Sequence, residues 1–288
     1  MNPTGGSPAQ PVPTRGFGFD TSIMHPARRY DYWLGGKDNF KADRASGNAI
    51  AARFPGVRTA AIENRNLGRR VVGWAARDGI TQFLDIGTGI PTPSNNTHDI
   101  AQAIHPDARV VYVDNDPVVL AHARALLTSH TPRGRVAYLD ADIGDPAAIL
   151  AAPEFTDTID LRRPVAVLLF AVLHFLPDDN HVRDILTTLT APLPPGSILA
   201  VSHATYDYMP TSTRKALHTE LAQHPEQHGT PTPRIREQLS DLYTATSLTP
   251  VAPGLVPTIR WRPELEPHPR DGVTDADASI YAYVARRP

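Results

Sequence analysis

Short apolar runs recur through the middle of the chain, each closed by a polar residue and followed by a stretch of helical spacing. Phe83-Leu84 leads to Asp85, Val110 to Val113 leads to Asp114, and Val136 to Leu139 leads to Asp140 with Asp142 just beyond. Short runs rich in β-branched and aromatic residues read as strands; apolar residues three and four apart read as a helix face. The pattern predicts strand 81–86, helix about 95–104, strand 109–114, helix 117–128, strand 134–140, helix 145–152, strand 164–170, helix 179–190 and strand 196–203. Asp116-Pro117 and Asp178-Asp179 open two of these helices as caps. The longest apolar run, Pro164 to Leu176, reads as a strand buried on both faces. It is too short for a bilayer, which takes about 20 residues. Strands alternating with helices imply an α/β fold, a Rossmann-like, doubly wound and mostly parallel sheet.

The flanks read differently. Helices are expected at 42–54 and 57–78, the second with Ile62, Leu67, Val71, Val72 and Trp74 near helical spacing. Two more, 209–224 and 232–243, fall in a helical insertion of about 205–243 that suits a pocket wall. Strands at 247–260 and 278–285 would form a hairpin at the sheet edge, joined by a proline-bearing loop, 261–276, that reads as mobile or functional. The expected division is a loose Pro/Gly/Ser/Thr-rich segment 1–22, a helical lid 23–80 and a main domain 81–288.

The candidate chemistry starts where the first strand ends, at Asp85-Ile86-Gly87-Thr88-Gly89-Ile90-Pro91. Glycines there suit a turn needing positive φ or close approach of a ligand to the main chain. An acid ending the second strand, Asp114, reads as a partner for two ribose hydroxyls.

These residues resemble the class I S-adenosylmethionine-dependent methyltransferases. Asp85, Gly87 and Gly89 match the first motif, Asp114 the ribose-binding acid and Asp142 the adenine-side acid. A third glycine is missing, since Pro91 and Thr92 follow. That departs from the dinucleotide fingerprint. The run Tyr30-Asp31-Tyr32-Trp33-Leu34-Gly35-Gly36-Lys37-Asp38-Asn39-Phe40 resembles the signature of one largely actinobacterial methyltransferase family, long catalogued as a domain of unknown function. With Phe170 to Pro177 and the tail from Pro253 to Pro263, the similarity covers roughly residues 22–285.

The resemblance implies S-adenosyl-L-methionine as cofactor. Tyr32, Gly35 and Gly36 would belong to a lid over it, with the competing reading of a short helix from Pro26 to Leu34, a glycine stop and an aromatic face on the core. Asp85 would sit near its sulfonium and amino-acid end, and Gly87, Thr88 and Gly89 would form the close turn. Asp114 and Asn115 would hold the ribose, Asp142 and Ile143 the adenine, and Phe170 and Ala171 would close the site after the fourth strand. Asn64, Arg65 and Asn66 are placed either on the surface or at the cofactor's carboxylate end. The segment after Phe170 lacks the Asp/Asn-Pro-Pro-aromatic loop of enzymes that methylate DNA bases or glutamine. His174 and His203 are the candidate bases, each with a competing reading as a satisfied core histidine.

Composition narrows the field. The 288 residues carry a net charge of −2 and no cysteine. Disulfides, cysteine-based zinc sites, a thiol nucleophile and a thiolate-assisted methyl transfer are excluded. Nothing electrostatic favours nucleic acid or a membrane as partner. The histidines are scattered without a metal-binding motif, so no metal is expected. A cytoplasmic enzyme with a small-molecule acceptor is expected. The alternatives are a non-catalytic cofactor-binding sensor and an NAD-dependent oxidoreductase, the latter opposed by Pro91 and the C-terminal hairpin.

Overall fold

The computed structural model describes residues 20–93 and 95–288. All but the last three residues of the segment 1–22 lie outside the described residues. Helix α1 (Pro26–Leu34) starts on a proline, whose fixed φ suits a first helical position, and stops at Gly35 in the left-handed region, φ +84°. Helices α2 (Lys41–Arg53) and α3 (Val57–Arg77) follow.

Strand β1 (Gln82–Ile86) leads through α4 (Thr97–Ile104) to β2 (Arg109–Asp114), then α5 (Pro117–Leu126), β3 (Arg135–Asp140), α6 (Pro146–Ala151), α7 (Pro153–Thr156) and β4 (Ala166–Phe170). The expected helix 145–152 thus continues as a second short helix beyond the break at Pro153. Next come α8 (Asp179–Thr190), β5 (Ile198–Ala204), α9 (Thr211–Gln223), α10 (Pro225–His228), α11 (Arg236–Thr244), β6 (Thr249–Pro250), β7 (Val256–Pro257), α12 (Asp275–Ala278) and β8 (Ile280–Arg286).

The sheet order is β3-β2-β1-β4-β5-β8-β6, with β7 also on β8. The first five strands are parallel. Strand β8 runs antiparallel to β5 along seven residue pairs, Ile198↔Arg286 to Ala204↔Ile280. The order reverses between β1 and β4, so a crevice opens at their carboxyl ends.

Alternating side chains bury both faces of the sheet. Phe83, Val110, Ala166 and Leu168 pack with Leu67, Val71, Val72 and Ala75 of α3. Leu84, Val111, Val167 and Leu169 pack with Val182, Ile185, Leu186 and Leu189 of α8. This two-sided burial explains the continuous apolar run of the fourth strand.

The C-terminal hairpin is antiparallel at the sheet edge as expected, but its first arm is far shorter than the expected strand 247–260. Only two residue pairs on each side of the 247–260 segment join the sheet, both against β8. Pro250, Pro253 and Pro257 cannot donate to a ladder, and Gly254 turns the chain at φ +81°. The loop expected at 261–276 is anchored: Arg70 donates to Trp261 O (3.1 Å), Thr258 O (2.7 Å) and Glu266 Oε2 (3.0 Å), and Arg69 also pairs with Glu266.

Candidate active site

A cavity of about 430 Å³ lies over the carboxyl ends of β1, β2 and β4. Helix α1 lies across it, with Tyr30, Asp31, Trp33 and Leu34 in its wall. That helix is tied down over the second strand: His25 Nδ1 lies 2.8 Å and Arg28 Nε 3.1 Å from Asp116 Oδ2.

The glycine turn makes the polar floor. Gly87 and Gly89 have φ of +72° and +68°. A Cβ on Gly87 would come within 2.9 Å of Val172, so glycine is required there by packing as well as by φ. A Cβ on Gly89 would meet no protein atom within 4 Å. Thr88 Oγ1 donates to Asp85 O at 3.0 Å, which ties the turn back to its strand.

Two acids stand at this floor. Asp114 accepts from Gly89 N (2.9 Å) and Asp116 N (3.0 Å), yet its burial raises its pKa. Asp85 accepts from Thr97 Oγ1 at 2.6 Å. Burial pushes its pKa up to about 6, against the opposing pull of Thr97 and the Arg65 charge. Farther along, Asn115 Nδ2 donates to Asp142 Oδ2 at 2.7 Å beside Ile143, and all three line the cavity.

Phe170 and Ala171 line it from the end of β4. Ala171 has φ +55°, a left-handed conformation that costs a non-glycine residue about 1 kcal/mol. The bend turns the chain across the cavity, and Ala171 N is held by Ser202 Oγ at 2.9 Å. His174 follows in the same wall. Neither of its ring nitrogens has a hydrogen-bond partner among the described residues, and Nδ1 is buried. Burial first, then the His203, Arg29 and Arg234 charges, lower its pKa well below the usual range. It is therefore neutral.

Arg65 enters from α3. Its Nη2 donates to Thr92 Oγ1 (2.7 Å) and Asn96 Oδ1 (3.4 Å), and its Nε is buried without a partner. No ion pair joins it to a carboxylate among the described residues. Asn64 donates from Nδ2 to Tyr30 OH at 3.0 Å and also lines the cavity, so Asn64 and Arg65 are cavity residues, whereas Asn66 lies outside the lining and its Nδ2 donates to Glu63 Oε2 at 3.4 Å.

Four expected residues are placed elsewhere. Tyr32 points away from the cavity: its hydroxyl donates to Asn48 Oδ1 (2.8 Å) and Arg58 covers its ring at 4.8 Å. Successive helix positions turn by about 100°, and α1 presents Tyr30 instead. Gly35 and Gly36 also lie outside the lining. Gly35 caps the helix, and a Cβ on Gly36 would fall 1.8 Å from Asp31 Oδ1, so packing dictates that glycine. His203 is a satisfied core residue, 1% exposed. Its Nδ1–H donates to Ala204 O (2.8 Å) and its Nε2 accepts from Arg234 Nη1 (3.0 Å), a tautomer assigned from those partners. Burial takes its pKa down to about 3. It is not a base for this cavity.

Sequence reasoning missed Arg29, Tyr30 and Arg234. The first two sit within the aromatic run of α1, where helical phase was the missing signal. Arg234, 1% exposed, carried no sequence signal; it donates to Leu176 O (2.7 Å), Leu173 O (3.3 Å) and Asp179 Oδ1 (2.7 Å), fixing the loop that bears His174. The histidines are also less scattered than expected. Away from the cavity, Asp99 Oδ1 lies 2.5 Å from His130 Nε2 and 3.3 Å from His98 Nε2.

The sheet order, the glycine turn and the strand-end acids define a class I S-adenosylmethionine-dependent methyltransferase. The chain belongs to the S-adenosyl methyltransferase family, whose model matches residues 14–288. It is similar to a DUF574 family protein from Streptomyces avermitilis, at 42% identity over 93% of this chain and 99% of that one, with a TM-score of 0.84. It is also similar to a Thermobifida fusca protein described as a methyltransferase, at 38% identity over 96% and 99%, with a TM-score of 0.81. No curated protein matches the chain in sequence. Among the described residues no helix is long and apolar enough to cross a membrane.

Proposed function

We propose that the protein methylates a small molecule held inside this cavity. The observation that carries the proposal is the two-ended character of one space. Asp85, Asp114, Asn115 and Arg65 gather at one end; Ile50, Phe54, Tyr206, Met209 and Leu217 wall another part, and Phe170 to Phe175 border the same space.

The residues present fit the cofactor. Arg65, a guanidinium with an unpartnered buried Nε and no paired carboxylate, suits the carboxylate of its amino-acid end. Ionised Asp85 suits the cationic groups, Asp114 the ribose hydroxyls, and Asn115, Asp142 and Ile143 the adenine. Gly89 leaves the main chain open to close approach. When bound, S-adenosylmethionine supplies an electrophilic methyl group. The protein's share is positioning and water exclusion, which for well-oriented reactants supplies several kcal/mol. His174 is proposed to orient the acceptor by accepting a hydrogen bond from its reacting group: it lines the cavity and has an unpartnered, buried ring nitrogen, while burial and the neighbouring cations oppose its taking a full proton.

Incubation with methyl-tritiated S-adenosylmethionine and a small-molecule extract tests the reading. Label is expected in a low-molecular-weight product, and not with His174→Phe. Label passing only to protein or nucleic acid would overturn the small-molecule acceptor.

A further inference from the structure

Three arginines line the cavity: Arg29, Arg65 and Arg69. Arg69 is paired with Glu266. Arg65 stands against Thr92 and Asn96, beside the glycine turn, where the cofactor's carboxylate is proposed. Arg29 is left over. It is 3% exposed. Its Nη1 donates to Ser46 Oγ (2.9 Å) and His228 O (2.8 Å), which fixes the guanidinium. Among the described residues neither its Nη2 nor its buried Nε has a hydrogen bond, and no carboxylate pairs with it. Burial brings its pKa down to about 10, with only the Asp43 charge opposing. A guanidinium removed from water with no carboxylate in direct contact among the described residues carries a desolvation penalty that an arriving anion relieves.

Its neighbours place it away from the cofactor's polar end. The guanidinium lies 5.2 Å over the Trp33 ring. His228, whose carbonyl holds Arg29, opens the segment 228–233; in that segment Thr232 N donates to His174 O at 2.7 Å. Arg29 and His174 are thus fixed by the same stretch of chain, and Pro231 and Pro233 of that stretch line the cavity. Apolar side chains, Trp33, Phe175, Met209 and Leu221, supply much of the remaining wall.

We propose that the acceptor is a largely apolar molecule bearing one carboxylate, which pairs with Arg29. With Arg65 proposed for the cofactor's carboxylate, Arg29 is the one lining cation left without a carboxylate contact among the described residues, beside a largely apolar part of the wall. It selects a monoanion, and a guanidinium edge suits the two oxygens of a carboxylate. The proposal rests on the methyltransferase reading and deepens it.

The test is calorimetric and uses matched probes, 2-naphthoate and the neutral 2-naphthamide, on protein saturated with S-adenosylhomocysteine. Wild type is expected to bind the carboxylate at least about tenfold more tightly, and Arg29→Gln to lose that preference while still binding S-adenosylhomocysteine. Naphthoate is also expected to quench the fluorescence of Trp33, identified by its loss in Trp33→Phe; this arm stands even if Arg29→Gln does not fold. Equal binding of the two probes, no naphthoate binding at millimolar concentration, a preference that survives in folded Arg29→Gln, or quenching unaffected by Trp33→Phe would overturn the proposal. Failure of wild type to bind S-adenosylhomocysteine at all would instead overturn the methyltransferase reading beneath it.

Discussion

Asp114 Oδ2 accepts a hydrogen bond from Gly89 N at 2.9 Å, so the strand-end acid anchors the glycine turn directly. One carboxylate therefore serves two purposes: it shapes the turn, and it faces the cavity where a ribose is proposed. Asp114→Asn preserves the volume and leaves an oxygen for one of the two backbone donors. It is expected to weaken S-adenosylhomocysteine binding about tenfold, the scale of one charge-assisted hydrogen bond, with little change in fold. Calorimetry with a far-ultraviolet spectrum checks both parts.

Asp85 gives a pH signature. Its folded pKa, about 6, lies above its ordinary 3.8. As pH rises through that window the unfolded chain releases its proton first, so ionisation costs the folded, cofactor-free protein stability, up to about 2–3 kcal/mol. Asp85→Asn mimics the protonated acid. It is expected to melt a few degrees higher than wild type at pH 8 and at the same temperature near pH 4. Cofactor affinity should run the other way. A cationic ligand favours ionised Asp85, so wild-type affinity for S-adenosylmethionine should rise about tenfold per pH unit below 6 and level off above it. In Asp85→Asn that slope should vanish. Melting curves and titrations across pH 4–8 measure both.

Gly36 packs against Asp31, which accepts from Asp38 N (3.0 Å) and Asn39 Nδ2 (2.8 Å). Gly36→Ala would drive a methyl into that carboxylate. A loss of about 1–2 kcal/mol in stability is expected, with weaker cofactor binding because Asp31 lines the cavity. Gly35→Ala meets no neighbour within 4 Å and should cost only the strain of its φ, about 1 kcal/mol. Thermal melts of the two variants separate packing from conformation.

Arg234 supports the His174 loop through the Leu173 and Leu176 carbonyls. Arg234→Met would fill the space and leave those acceptors and His203 Nε2 unpartnered. A loss of about 3 kcal/mol or more is expected in chemical denaturation, because each buried unsatisfied group costs about 1–3 kcal/mol.

Much of this site was legible because its determinants are local. A strand-end acid followed by Gly-x-Gly specifies a turn within a few residues, and Asp85, Gly87, Gly89 and Asp114 line the cavity together. Helical phase was not legible in a short aromatic run: Tyr30 and Tyr32 have the same chemistry, and only the packing of α1 on α2 and α3 distinguishes them. Long-range partners were least legible of all. Arg29 meets Ser46 and His228, and Arg234 meets His203 and the loop after β4, so nothing near either arginine in sequence marks its role. The 247–260 segment was misread for a different reason: its apolar residues suit a strand, but its prolines remove the donors a strand needs.

The most direct test is a calorimetric titration of the purified protein with S-adenosylmethionine, S-adenosylhomocysteine and NAD, repeated on Asp114→Ala. Micromolar binding of the sulfonium or its demethylated product, weakened at least about tenfold in the variant and not shared by NAD, is the expected result. Binding of NAD with none of either adenosyl ligand would contradict the account and make the cavity an oxidoreductase site.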